Sequence, residues 1–256
     1  MSRVHVLLTG AAGGIGSAFA RRFRARHPDA LFTLVDLDEA RAEDLSRELG
    51  AASAEAWDLS QPAALAGHLE GAVERSGPVD VLVNCAGIME MRSFAATPWE
   101  LGDRLMAIDL TSPLRLMSLV VPSMVERGAG AILNVTSMAG VTPLRGCSYY
   151  GAAKAGLAMA SEIARLELSP KGVRVTTVYP GPVRSELERR ARAQVPEGLV
   201  SRFLPTGEAE PLAAKMVAAY EKGAARVVYP SLYELANRAP RFAGWVTSKV
   251  SPIPHE

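Results

Sequence analysis

Val4-His5-Val6-Leu7-Leu8-Thr9-Gly10-Ala11-Ala12-Gly13-Gly14-Ile15-Gly16 decides the fold. A β-rich run (4 to 8) enters a glycine turn that opens a segment of helical period (14 to 26), the first arm of a βαβ unit. Glycines at 10, 14 and 16 permit the tight turn and let the backbone, Ile15 included, approach a pyrophosphate seated on the positive end of the helix. A lone glycine cluster is weak evidence; its place between strand and helix strengthens it.

Working outward, the same alternation recurs. Strands are predicted at 4 to 8, 31 to 35, 53 to 57, 79 to 83, 131 to 135, 173 to 178 and 225 to 229. Helices fit at 14 to 26, 38 to 49, 61 to 76, 99 to 126, 149 to 168 and 209 to 222. Runs such as VDVLVN are apolar at nearly every position, which implies burial on both faces. The expectation is an α/β, doubly wound (Rossmann-type), seven-stranded parallel sheet with helices on both faces. No repeat or linker divides the chain, so 1–256 reads as a single dinucleotide-binding catalytic domain. Residues 180–210 form a long loop over the site, and 230–256 an amphipathic tail split by Pro240.

Composition narrows the function. With 28 Lys plus Arg against 27 Asp plus Glu, the chain has no global field to hold polyanions, and no nucleic-acid partner is expected. Its 48% apolar content supports a sizeable core. Cys85 and Cys147 provide neither a disulfide framework nor a metal-ligand spacing, so no metal site is expected. The first apolar run is too short for a signal-peptide core, and no stretch reads as a spanning helix; a soluble cytoplasmic protein is the expectation.

Two further groups carry chemistry. Asp36 ends the second strand twenty residues after Gly16, where a carboxylate accepts from both hydroxyls of an adenosine ribose and repels a 2′-phosphate. Neither Leu37 nor Gly13 offers a cation for that phosphate, which argues for NAD over NADP. Tyr150 and Lys154 stand at i and i+4 on one helical face, a pairing that chance supplies roughly 0.12 times in a chain with six Tyr and five Lys. A nearby ammonium stabilises a phenolate, so the pair suits proton transfer. Ser137, just past the fifth strand, lies at the sheet edge where ligands bind.

TGAAGGIG, Asp36, Asp58 in WDLS, Asn84-Cys85-Ala86-Gly87, Ser137, YGAAK and Pro180-Gly181 occur in the order and spacing of the short-chain dehydrogenase/reductases, and residues 4 to 229 resemble that family. The resemblance implies that Tyr150 is the general acid/base, that Lys154 lowers its pKa and binds the nicotinamide ribose, and that Ser137 polarises the substrate carbonyl. It also implies that Asp58 and Leu59 contact the adenine, that Asn84, Ala86 and Gly87 pack beside the cofactor, and that Pro180, Gly181 and Val183 flank it. The glycine run fits two branches, through Gly10, Gly14 and Gly16 or through Gly10, Gly13 and Gly16; a length of 256 residues favours the short single-domain branch.

Three positions depart from the family pattern. Asp109 occupies the place of the fourth catalytic residue, usually Asn, and puts a carboxylate near Lys154. Cys85 replaces an Asn. The glycine-rich C-terminal strand ending that builds one tetramer interface is missing, so a homodimer through helices 99–126 and 149–168 stands beside a homotetramer. Met89, Met91, Met138, Val141, Leu144 and Cys147 suggest a lipophilic alcohol or ketone of steroid, retinoid or long-chain type. Arg145 is read as a solvated loop residue or a contact for an acidic substrate group. The tail's Leu232, Tyr233, Leu235, Phe242, Trp245 and Val246 beside Arg238, Arg241 and Lys249 are expected to pack across the pocket or a partner subunit rather than on a membrane surface. The competing reading is a non-catalytic NAD-binding redox sensor or scaffold.

Overall fold

The computed structural model describes residues 3–50, 52–194 and 206–251. Seven strands, β1 (His5–Thr9), β2 (Leu31–Asp36), β3 (Ala52–Ala56), β4 (Val81–Asn84), β5 (Gly130–Val135), β6 (Val173–Pro180) and β7 (Arg226–Tyr229), form one sheet in the order β3-β2-β1-β4-β5-β6-β7. Every pairing is parallel. The order reverses between β1 and β4, opening a crevice at their C-terminal ends.

Adjacent strand residues explain the unbroken apolar runs. Val6, Leu8, Val81, Val83, Ala131 and Leu133 face a core shared with α1 (Gly14–Arg26) and the helix Ala209–Lys222. Leu7, Leu82 and Ile132 face the opposite core, built with α3 (Leu65–Ser76) and α5 (Ser112–Glu126). Each such Leu or Val taken fully out of water contributes about 1.5–3 kcal/mol, so both helix layers are required. The other helices are α2 (Glu39–Leu49), α4 (Trp99–Met106), α6 (Ser148–Leu168), α7 (Glu186–Ala193), α8 (the Ala209–Lys222 helix), α9 (Tyr233–Arg238) and α10 (Pro240–Val250). Of the predicted 180–210 loop, residues 195–205 lie outside the described residues, as do 252–256 of the tail.

The segment predicted as one helix over 99–126 is α4 and α5 joined by a π-helical turn, Ala107–Thr111. Pro113 has no N–H to offer the Asp109 carbonyl four residues earlier, which favours the widened turn. Trp99–Glu126 as a whole is long and apolar enough to cross a membrane, a correction to the expectation that no stretch was. Its apolarity serves the sheet: Leu116, Met117, Val120 and Met124 are buried against it, and Asp109 is fully buried within the turn.

A polar tie crosses the buried centre. Asn84 Nδ2 donates to Asn134 Oδ1 at 2.8 Å, and Asn134 Nδ2 donates to Ser161 Oγ at 2.7 Å, linking β4, β5 and α6. Asn134→Ala removes both bonds, leaving Asn84 only the Pro113 carbonyl and Ser161 only the Leu157 carbonyl, and urea unfolding is expected to show a loss of about 1–2 kcal/mol.

Candidate active site

The site grows from the glycine turn. Gly10 holds φ +68°, and a Cβ there would stand 2.7 Å from the Ala86 backbone. At Gly16 a Cβ would come 2.1 Å from the Gly10 carbonyl oxygen, so the turn closes only on glycine. The N-cap of α1 is Gly13, whose absent side chain leaves the first-turn N–H groups open to an anion. Thr9 Oγ1 accepts from the N–H groups of Cys85 (3.1 Å) and Ala86 (3.2 Å), tying this turn to the loop after β4.

Over the turn lies a cavity of about 560 Å³ whose walls include Gly14, Ile15, Asp36, Asp58, Leu59 and Gly87. Its size, glycine floor and terminal carboxylate fit a dinucleotide. Asp36 Oδ2 accepts from Ala12 N–H at 2.9 Å and Oδ1 from Asp38 N–H at 3.2 Å, so the loop holds it at the mouth. Arg41 stands at the same end, its Nη2 donating to the Ala12 carbonyl at 3.1 Å. Leu37 and Gly13 supply no cation here, but the first turn of α2 carries Arg41 back to the cavity. Asp58 is engaged locally by Ser60 N–H (2.9 Å) and Oγ (2.7 Å), which hold its carboxyl below the usual range. Asn84 turns its side chain to Asn134 and Pro113, away from the cavity wall.

Ser137, Tyr150 and Lys154 meet at a second cavity of about 320 Å³ that shares Ile15, Cys85, Gly87, Met89, Ser185 and Leu187 with the first. Tyr150 and Lys154 rise from one face of α6, and Ser137 follows β5 directly. The Ser137 side chain lies near enough to the Tyr150 phenol to pull its pKa down, and its hydroxyl accepts from Ala139 N–H at 3.1 Å. Lys154 Nζ sits 5.9 Å from the Tyr150 ring centroid and donates to the Val135 carbonyl at 3.1 Å.

Asp109 completes the cluster. Its Oδ1 lies 3.0 Å from Lys154 Nζ, with the two side chains 0% and 4% exposed, and Oδ2 accepts from Ile88 N–H at 3.3 Å. Burial alone would lower the Lys154 pKa; the Asp109 carboxylate and Tyr150 reverse this and hold the ammonium above its ordinary value. Burial pushes the Tyr150 phenol up, the Lys154 charge pulls it down, and Asp109 pushes it up again. The arrangement is a protonated phenol and a hydroxyl facing a cavity, backed by a neutralised ammonium. Burial also pushes the Cys85 and Cys147 thiols to about 12, which leaves both poor nucleophiles.

Met89, Met91, Met138 and Leu144 line the second cavity with Pro180, Gly181 and Val183. Val141 packs on the Met138–Tyr179 cluster, and Cys147 packs beside Tyr150. α7 is latched over the site: Gln194 accepts from Met91 N–H at 2.7 Å and donates to Glu90. Tyr233 and Thr247, from α9 and α10, close the far wall. Arg145 is an exposed loop residue, as one of its two readings expected, and its guanidinium donates to the Ser248 and Ser251 carbonyls, both at 2.9 Å, which clamps the tail in place. Gln194 and the Arg145 clamp carry no local sequence signal, since their partners lie about a hundred residues away.

The family model for short chain dehydrogenase matches residues 4–196. A 2,5-dichloro-2,5-cyclohexadiene-1,4-diol dehydrogenase of Sphingobium indicum is 33% identical over 179 residues, 68% of this chain and 71% of that protein. Among solved structures, a short-chain dehydrogenase from Sphingobium yanoikuyae in complex with NADPH superposes with a TM-score of 0.80 at 29% identity, covering 94% of each chain. A 3-ketoacyl-(acyl-carrier-protein) reductase from Brucella melitensis complexed with NADH gives a TM-score of 0.77 at 26% identity, covering 89% of this chain and 97% of that one. The seven-stranded parallel sheet, the glycine turn and these matches together make the chain a member of the short-chain dehydrogenase/reductase family, an oxidoreductase acting on alcohol or ketone substrates.

Proposed function

We propose that the protein interconverts a lipophilic secondary alcohol and its ketone with NAD(H). The observation that carries this reading is the Ser137–Tyr150–Lys154 cluster at the junction of the two cavities. A bound nicotinamide dinucleotide supplies or accepts the hydride. Gly10, Gly14, Ile15, Gly16, Asp36, Asp58, Leu59, Ala86 and Gly87 line the cavity that would hold it. Ser137 Oγ–H donates to the substrate oxygen and orients it. Tyr150 Oη gives its proton to that oxygen as carbonyl becomes alcohol, and takes it back in the reverse direction. Lys154 steadies the phenolate, and Asp109 offsets part of that help, so the phenol stays protonated to higher pH. Methionines and Tyr233 around the second cavity favour a bulky apolar group beside the reacting carbon.

Asp36 at the cavity wall supports NAD over NADP, since its carboxylate would repel a 2′-phosphate, with Arg41 as a weaker counterweight. Exposed Trp99, Met159, Ile163 and Leu166 on α4 and α6 support a homodimer through those helices. The rival reading, a non-catalytic dinucleotide-binding protein, has the Asp109 countercharge in its favour. Reduction of NAD with any member of a panel of steroid, retinoid and aliphatic secondary alcohols removes that rival.

Tyr150→Phe is expected to lose at least about 10²-fold in turnover while dinucleotide binding, followed by calorimetry, is retained. Full turnover in that variant would overturn the mechanism. In Asp109→Asn the phenolate loses a neighbouring anion, so the Tyr150 pKa falls. The alkaline rise of the alcohol-oxidation rate should accordingly move to lower pH, read from kcat/KM against pH. Asp36→Ala should narrow the NAD-to-NADP ratio of kcat/KM by roughly tenfold, and Arg41→Ala should widen it.

A further inference from the structure

We propose that the outer face of α9 and α10 docks on an anionic lipid bilayer. Phe242, Trp245, Val246 and Lys249 follow the i, i+3, i+4, i+7 spacing of one helical face. Phe242 and Trp245 are 63% and 62% exposed, with their rings stacked at 6.1 Å. Leu232 and Leu235, at the start of α9, add two side chains 68% and 67% exposed. The inner faces are already used: Ala236 packs on the Met138–Tyr179 cluster, Tyr233 and Thr247 wall the second cavity, and Gly244 lies against Pro143.

Charge selects the occupant. Residues 230–251 carry Arg238, Arg241 and Lys249 against a single acid, Glu234, which pairs with Arg238 at 3.4 Å. The segment is thus net +2 in a chain of net +1, leaving the remainder net −1. A second copy seated face to face would set these cations against their own kind. A bilayer of anionic headgroups meets them, while Trp245 and Phe242 suit the headgroup–acyl boundary. Helices of six and eleven residues are too short to form unaided on a membrane, but here Arg145 and β7 hold them folded beforehand. The contact stands without the proposed reaction; only its use, admitting a membrane-dissolved substrate to the cavity beneath, rests on that reading.

The test is flotation of the purified full chain with vesicles of phosphatidylcholine plus phosphatidylglycerol, beside vesicles of phosphatidylcholine alone, at low salt. The wild type is expected to float with anionic vesicles and to bind neutral ones at least about tenfold more weakly. Phe242→Ser with Trp245→Ser, and separately Arg241→Glu with Lys249→Glu, should each lose at least about tenfold on anionic vesicles with Tm unchanged. Recovery of the wild type in the soluble fraction, or equal flotation of both double variants, overturns the proposal. So does a lipid-free dimer that dissociates in the Phe242→Ser, Trp245→Ser variant, since a second copy then covers the face. No turnover enters the readout, so failure here is separate from failure of the proposed reaction.

Discussion

A parallel sheet buried on both faces leaves its polar chemistry only one place to go. The strands of this chain supply Leu7 to one core and Val6 and Leu8 to the other, so neither face can host a charged ligand. Polar groups gather where the strands end. Thr9, Asp36, Asn84 and Ser137 all stand at or just past C-terminal strand ends, and the reversal of strand order beside β1 keeps helices from closing that edge. The cavity over the glycine turn is thus a consequence of how the core is buried.

The same economy of space makes the Lys154–Asp109 pair consequential. A surface ion pair is worth little, but two charges under 5% exposed depend on each other for their solvation. Asp109 reaches Lys154 because the helix widens into a π turn at that point, and the Ile88 N–H holds the other oxygen. An amide in this position would leave the ammonium's field directed at Tyr150. The carboxylate divides that field between Asp109 and Tyr150.

Much of this was legible in the sequence because the decisive signals are local. The glycine turn, the seven apolar runs and the Tyr150–Lys154 spacing each lie within a few residues, and periodicity or register is enough to read them. What escaped is non-local or depends on direction. Asn84 sits in a motif beside the cavity, yet its side chain points to β5. Arg41 is five residues beyond Asp36, and only the path of α2 returns it to the mouth. Arg145 had two readings in sequence, solvent or substrate, and its partners proved to be carbonyls more than a hundred residues on. The helix over 99–126 was found, but its π turn follows from a missing donor at Pro113 that periodicity does not register.

The Arg145 clamp has a bearing on how this site is built. By gripping the Ser248 and Ser251 carbonyls, it fastens the last described helix to the loop that follows Ser137. The second cavity therefore has one wall set by the sheet edge and another by the C-terminal helices, fastened together at Arg145 by its guanidinium and by its N–H on the Ser251 hydroxyl. Ser137, Tyr150 and Lys154 reach this cavity from the stretch spanning β5 and α6, and Tyr233 and Thr247 from helices about eighty residues or more further along. A side chain changed at Tyr233 or Thr247 would therefore reshape the cavity from a part of the chain remote in sequence from the residues it faces.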